Sequence, residues 1–377
     1  SLNGLLELLA SKELEDEDSS FYPTPVRLFR GMIEKFLGTG VIENPVVIDY
    51  VAGRGTSLIT LLEMYKEKGI EVDTSNIYYN DIDPYMVKIF KKINKEYKLG
   101  IPEENIFNED VFNPSQTQKF KEILMKEFDY VLINPPFSKN SKEPVRQWSK
   151  FIDLGRTLRK HSGGLGVFSP STLLSSTNSI HDEIKDEMIY TNVSSEVSDS
   201  FTSRGGSQKF IYSIFMGSKV NKCVTKFDEV ELEFNPTSTP IAPIKSSSYF
   251  IYDLVEKLYN SNFPVHDWYR VDVKEVDSAV VVPMAKAISF KVQFMDSDDF
   301  EIGRYKLKIS KEFGENIAHN LNTKIYRILR WVLRSGPALA GNFKLLPIPI
   351  VKINDEELFD KLNLDKPTRE YIKNYVE

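Results

Sequence analysis

Between residues 46 and 137, short apolar runs alternate with longer stretches of helical periodicity. "VVIDYVAGRG" is an apolar strand ending in an acid and a glycine turn, and the helical "TSLITLLEMYKEKG" follows it. "NIYYNDIDP" is a second strand ending in acids, followed by the helical "YMVKIFKKINKEYK". "NIFNEDVF" is a short third strand, and "QKFKEILMKE" is helical before the apolar "FDYVLINPPF". Strands alternating with helices of about 10–15 residues predict right-handed βαβ units and a mostly parallel sheet. Ligands of such sheets bind at the carboxyl ends of the strands. The unusual residues fall there: Asp49 to Gly55, Asp81 to Asp83, Asp110, and Asn134 to Phe137.

The alternation continues through "VRQWSKFIDLGRTLRKH", helical, and the strand with its loop in "GGLGVFSPSTLLSS". "SFTSRGGSQKFIYSIFMGSK" reads as a hairpin, a polar glycine-bearing loop feeding an alternating strand. "FNPTSTPIAPIKSSS" is rich in Pro, Ser and Thr, as inter-domain linkers are. Beyond it come a helix near "YFIYDLVEKLYN", β-like stretches in "SAVVVPMA", "AISFKVQFM" and "RYKLKIS", and one long helix over "NIAHNLNTKIYRILRWVLRS". The expected organisation is an acidic leader (residues 1–20), an α/β catalytic domain (21–225) and a smaller α+β domain (226–377).

Composition narrows this picture. A chain of 377 residues can form two domains with proper cores. The single Cys223 excludes a disulfide framework and a cysteine-rich zinc site, and suits a reducing cytoplasm. His161, His181, His266 and His319 are scattered without metal-ligand spacing, so no metal is expected. With no long apolar run and no signal-peptide pattern, the protein reads as soluble, cytoplasmic and without a membrane partner. A net charge of -6 argues against coating nucleic acid by bulk electrostatics. Charge is uneven, however: the leader carries six acids against one lysine, whereas Gly303 to Lys344 holds nine Lys or Arg against Glu312 and Glu315.

The strand ends carry the candidate chemistry. Gly53 and Gly55 directly follow a strand, where missing side chains admit either a ligand or a tightly packed helix. No Gly-Lys-Ser/Thr follows, so this is not a polyphosphate loop. Asp81 stands where a carboxylate accepts both hydroxyls of a ribose, and Asp83-Pro84 caps the next helix. Asp110 is placed to accept from an exocyclic amine such as that of adenine. Together they describe a nucleoside pocket without phosphate grips, which suits S-adenosyl-L-methionine better than NAD or ATP. Asn134-Pro135-Pro136-Phe137 then ends the fourth strand. The Asn134 side-chain oxygen and the Pro135 carbonyl supply two acceptors for an aromatic amine, two prolines stiffen them, and Phe137 offers a face for the base. A base reached in this way must leave its duplex. The alternative is a rigid Pro-Pro turn beside a core phenylalanine.

These motifs resemble those of the S-adenosylmethionine-dependent adenine-N6 DNA methyltransferases in the gamma arrangement, restriction-modification methylases whose cofactor motifs precede Asn-Pro-Pro-aromatic. "FYPTP" (Phe21 to Pro25), "DYVAGRGT", "NDIDP", "NEDVF" and "NPPF" carry the likeness, over roughly Phe21 to Lys222, and the tail from Phe343 also looks like the ends of such methylases. The resemblance implies a Rossmann-like methyltransferase domain with a terminal antiparallel hairpin. It further implies that Thr24, with Phe21, meets the cofactor's carboxylate end. Asp49, Gly53 and Gly55 would line its methionine part, Asp81 with Ile82 its ribose side, and Asp110 its adenine. Phe201 resembles the family's second aromatic against the flipped base. Tyr50 departs from the family, which usually has proline after the acid.

Lys324, Arg327, Arg330 and Arg334 recur at helical spacing opposite an apolar side of Ile325, Ile328, Leu329, Val332 and Leu333. They would grip phosphates of double-stranded DNA, or simply form a solvated face. The resemblance adds a restriction endonuclease or specificity subunit as a partner. Other readings stay open here: an RNA methyltransferase acting on guanine N2 or adenine N6, a glutamine methyltransferase acting on release factors, and a DNA-binding specificity module that keeps the fold without turnover.

Overall fold

Strands β1 (Val47–Asp49), β2 (Ile77–Asn80), β3 (Ile106–Phe107) and β4 (Phe128–Ile133) are buried at every position. Such continuous burial is what a parallel sheet covered by helices on both faces requires. The computed structural model describes residues 4, 24–113, 115–137, 144–174, 180–201, 209–235, 248–266, 269–270, 278–282, 292–296, 305–307, 311–333 and 346–375. Helices α1 (Val26–Thr39), α2 (Thr56–Glu67), α3 (Pro84–Glu96), α4 (Gln118–Ile123) and α5 (Pro144–Leu158) lead in turn to β5 (Arg159–Pro170). Then follow β6 (Met188–Asn192), α6 (Ser195–Phe201) and β7 (Phe210–Met216).

In this first unit the strands lie side by side as β3-β2-β1-β4-β5-β7-β6. The pairs from β3 to β5 are parallel, and β7 runs antiparallel to both β5 and β6. The α/β class, with a mostly parallel sheet ending in antiparallel pairs, is therefore as expected. The direction of winding changes between β1 and β4, where Val47 pairs with Tyr130 and Ile48 with Val131. A crevice opens at the carboxyl ends of strands beside such a switch point. Alternate residues of β5 serve the two helical layers. A Cβ on Gly166 would come within 2.4 Å of Met32 in α1, while a Cβ on Gly155 of α5 would come within 2.8 Å of Leu165. The absent side chains let both helices lie close to the sheet.

The hairpin expected over residues 200–219 forms differently. Ser195–Phe201 is helical, and β7 pairs with β5 and with β6, the latter a strand the polar/apolar pattern does not announce. Phe201 ends that helix instead of opening a hairpin loop.

Ser171–Asp186 and the chain from Asn221 onward belong to a second compact unit. It contains the hairpin β8 (Cys223–Phe227) and β9 (Val230–Phe234), then α7 (Tyr249–Tyr259). The strands β10 (Tyr269–Arg270), β11 (Ser278–Val282), β12 (Gln293–Asp296) and β13 (Tyr305–Leu307) form an antiparallel sheet in the order β10-β13-β11-β12. Helices α8 (Lys311–Leu321), α9 (Lys324–Val332), α10 (Asp355–Lys361) and α11 (Lys366–Asn374) complete it. Leu254, Leu258, Ile317, Leu321, Leu329 and Leu346 are among its core residues.

The single long helix expected before residue 335 is two helices. Asn322 turns back on the chain, accepting from Val292 N–H at 2.8 Å and donating to the carbonyls of Val292 and Ala318. Thr323 donates to Asn320 O at 2.7 Å. Polar side chains that satisfy backbone groups locally end a helix that periodicity alone would continue. The basic stripe is corrected as well. Arg330 is only 7% exposed, on the same buried side as Tyr326 one turn earlier. Lys324 and Arg327 are half-buried, and Arg334 lies outside the described residues. The buried face of α9 is wider than the aliphatic positions suggest, so Arg330 does not share a solvent face with Lys324 and Arg327.

Candidate functional site

The carboxyl ends of β1, β2, β3 and β4 bring the motif residues to one edge of the sheet. After β1 the chain reverses through Gly53 (φ 53°) and Gly55 (φ 79°), both in the left-handed region. Asp49, at the end of β1, is 2% exposed and turned into this loop. Its carboxylate accepts from Val51 N–H at 3.0 Å and from the Ser57 hydroxyl at the start of α2. Burial pushes its pKa up to about 7. Asp49 thus braces the turn from within. Gly55 is fixed by packing, since a Cβ there would lie 2.2 Å from the Phe90 ring of α3. Of the two possibilities for this glycine, tight helix packing is the one visible in the fold.

Asp81 is partly exposed, and each of its oxygens already accepts one backbone N–H: Gly53 at 2.7 Å and Asp83 at 2.9 Å. Burial raises its pKa, and the two N–H groups oppose that rise. Asp83 caps α3 by accepting from Tyr85 N–H at 2.8 Å, as the Asp-Pro pair predicts. Ile82 is 65% exposed, an unusual position for a large aliphatic side chain. Asp110 is partly exposed and accepts from Phe112 N–H at 3.0 Å.

Several residues that the motifs do not single out build this edge. Asn80, 1% exposed, donates to Tyr50 O and Glu109 O and accepts from Glu109 N–H, all at 3.0 Å. It sews the loops after β1 and β3 together. Asn108 donates to Asp81 O at 2.8 Å and Ile82 O at 3.0 Å, fixing the loop between them. The available signal was a polar residue closing an otherwise apolar strand, just before the noted acid. Tyr50, the departure from the resembled pattern, is fully buried and hydrogen-bonds through its hydroxyl to Phe151 O in α5. Phe151 in turn meets the edge of Phe112 at 4.9 Å, and Phe112 is 47% exposed. Two exposed apolar side chains, Ile82 and Phe112, therefore stand on the neighbouring loops after β2 and β3.

Asn134 follows β4 directly, half-buried, with Pro135 buried and Pro136 and Phe137 half-buried. The Asn134 side chain donates through Nδ2 to Thr24 Oγ1 at 2.7 Å. Phe137 packs against Phe210 with ring centres 5.0 Å apart. Phe201 is 5% exposed, among Phe168 at 5.5 Å and Phe210 at 5.4 Å. Its ring is spent in the core, which corrects its expected place against a base. Phe21 lies outside the described residues. The structure thus gathers Thr24, Asp49, Gly53, Gly55, Asp81, Ile82, Asp110 and Asn134 to Phe137 in one unit.

No protein-family model matches this chain, and no curated protein matches its sequence. Solved structures resemble it in part. The M protein of the Type I restriction enzyme EcoKI aligns over 56% of this chain and 49% of its own, at 12% identity and a TM-score of 0.42. The methyltransferase subunit of a type I restriction-modification system from Streptococcus thermophilus aligns over 56% and 48%, at 15% identity and 0.40. A putative RNA methyltransferase from Pyrococcus horikoshii aligns over 58% and 97%, at 15% identity and 0.37. The chain spans about half the length of the first two.

Proposed function

We propose that this chain transfers the methyl group of S-adenosyl-L-methionine to the N6 amine of an adenine rotated out of double-stranded DNA, within a restriction-modification system. The observation that carries the reading is the Asn134 carboxamide held beside two prolines and Phe137 at the switch point, next to the glycine turn after β1. The residues present suit the cofactor. Asp81 keeps lone pairs for ribose hydroxyls, and Ile82 and Phe112 offer exposed apolar surface to a base between Asp81 and Asp110. The Gly53 turn supplies backbone without side chains for the methionine part. When bound, the cofactor supplies a methyl group activated by its sulfonium.

The protein's own task is to make a weak nucleophile reactive. An aromatic amine delocalises its lone pair into the ring. Asn134 and the Pro135 carbonyl accept its two hydrogens, which draws the nitrogen towards tetrahedral geometry. Rigid placement of these acceptors lowers the barrier without a general base. As the nitrogen–carbon bond forms, the methyl–sulfur bond would break with its electron pair left on the departing thioether, and the amine gives one proton to water. Phe137 stacks on the extruded base, and a stacking contact of about 1–3 kcal/mol offsets part of the unstacking cost. The second unit is the candidate for duplex contact, with Lys324 and Arg327 as phosphate ligands and a specificity or nuclease subunit as partner.

Incubation with labelled S-adenosyl-L-methionine and DNA, RNA or release factor, followed by nucleoside and peptide digestion, tests this. The expected product is labelled N6-methyl-2′-deoxyadenosine from DNA alone. Label confined to RNA or protein would overturn the reading.

A further inference from the structure

We infer that Thr24 is a positioning residue for the reaction: its hydroxyl, which accepts from Asn134 Nδ2, anchors the Asn134 carboxamide for the target amine. The inference rests on the transfer reading above. A carboxamide has two ends of almost equal shape and opposite hydrogen-bonding sense. Turned by half a rotation, Asn134 would present N–H groups to an amine that is itself a donor, and the activating contact would become a repulsive one. The carboxamide must therefore be anchored before the base arrives.

Thr24 is placed to do so. Its Oγ1 lies 2.7 Å from Asn134 Nδ2, and the residue is 5% exposed, so water competes little for the contact. With the nitrogen held towards Thr24, the carbonyl end is directed away from it. The anchor is stiff for reasons that can be traced through the fold. Thr24 precedes Pro25, which leads into α1 with φ −56° and ψ 137°. Helix α1 then presses Leu28, Phe29, Met32, Ile33 and Phe36 into the core. Met32 and Phe36 sit against Gly164 and Gly166 of β5, where any Cβ would lie within 2.4 Å of them. The resemblance assigns the same threonine to the cofactor's carboxylate, so the two roles make different predictions.

Thr24→Val removes the hydroxyl and keeps the shape, and Thr24→Ser keeps the hydroxyl. In the full chain, Thr24→Val is expected to lower kcat at saturating cofactor and DNA by about 100-fold, the scale of losing one preorganised polar contact. The cofactor Kd should stay within about twofold, and Thr24→Ser should restore kcat to within about threefold of the parent, because the hydroxyl is what matters. A Kd that rises with kcat preserved, or an unchanged kcat, would overturn the assignment. A second readout needs no turnover. In protein labelled with 15N-asparagine, the Asn134 side-chain NH2 signal, identified by its loss in Asn134→Ala, should exchange with water about fivefold faster in Thr24→Val than in the parent or Thr24→Ser. Equal exchange in all three would also overturn it. A parent protein that methylates no nucleic acid would defeat the transfer reading, while the exchange comparison would still decide whether Thr24 holds Asn134.

Discussion

Replacing Gly55 by alanine tests whether the turn after β1 is built for helix packing. Two costs add. The backbone at φ 79° is left-handed, which costs a residue with a Cβ about 1–2 kcal/mol. The new methyl would lie 2.2 Å from Cε2 and 2.3 Å from Cδ2 of Phe90. That ring cannot step aside cheaply, because it is fully buried and stacked on Tyr79 with ring centres 4.1 Å apart. Overpacking of this kind costs about 1–3 kcal/mol. The expected loss is therefore about 2–5 kcal/mol in the first unit. Urea unfolding can be read there by fluorescence of Trp148, 3% exposed in α5, once Trp268 and Trp331 are replaced by phenylalanine. Adding Phe90→Leu to Gly55→Ala should return the overpacking part and leave the backbone part. A loss below about 1 kcal/mol, or no recovery in the double variant, would refute the packing explanation of this glycine.

Asn134→Ala should leave cofactor affinity within about twofold and lower methyl transfer by at least about 100-fold, measured by equilibrium titration and single turnover; collapse of both would mean that Asn134 holds the fold. The Asp49 carboxyl gives a pH signature. Its folded pKa of about 7 stands above the unfolded value of 3.8, so the folded state holds the extra proton between them. Stability from this group is complete below the unfolded pKa and is lost as pH rises towards 7. The stability of Asp49→Asn relative to the parent should therefore grow by up to about 1.4 kcal/mol per pH unit across that window, and a flat difference in urea melts would contradict the assignment. Asn80→Ala leaves Tyr50 O, Glu109 O and Glu109 N–H to find other partners. It should destabilise the first unit by about 1–3 kcal/mol and weaken cofactor binding, read by urea melts and calorimetry, whereas unchanged stability would show that the loops hold without it.

Much of the first unit is legible along the chain because its determinants are local. Apolar runs too short for helices, each followed by helical periodicity, specify βα units wherever they fold. Buried strands of a parallel sheet are apolar throughout, so an acid, a glycine or Asn-Pro-Pro at a strand's end stands out against its neighbours. Asp83 as a cap and Asp81 as a loop acid follow from the same local chemistry. The strand β6 was not legible, since "MIYTN" has no clean alternation and takes its register from β7. Neither was the break at Asn322, whose partner Val292 lies thirty residues earlier.

The sequence by itself determined the α/β class of the first unit, the order of its loops and the residue types at the strand ends. These are properties of short stretches and need no distant partner. Only the tertiary structure decided which of those residues are available. It put Asp49 inside its turn, spent Gly55 on Phe90 and Phe201 on an aromatic core, buried Arg330, and joined Thr24 to Asn134. Side chains far apart in the chain compete for the same space and the same hydrogen bonds only after the sheet has wound. That competition separates residues that shape the edge from residues that face what binds there.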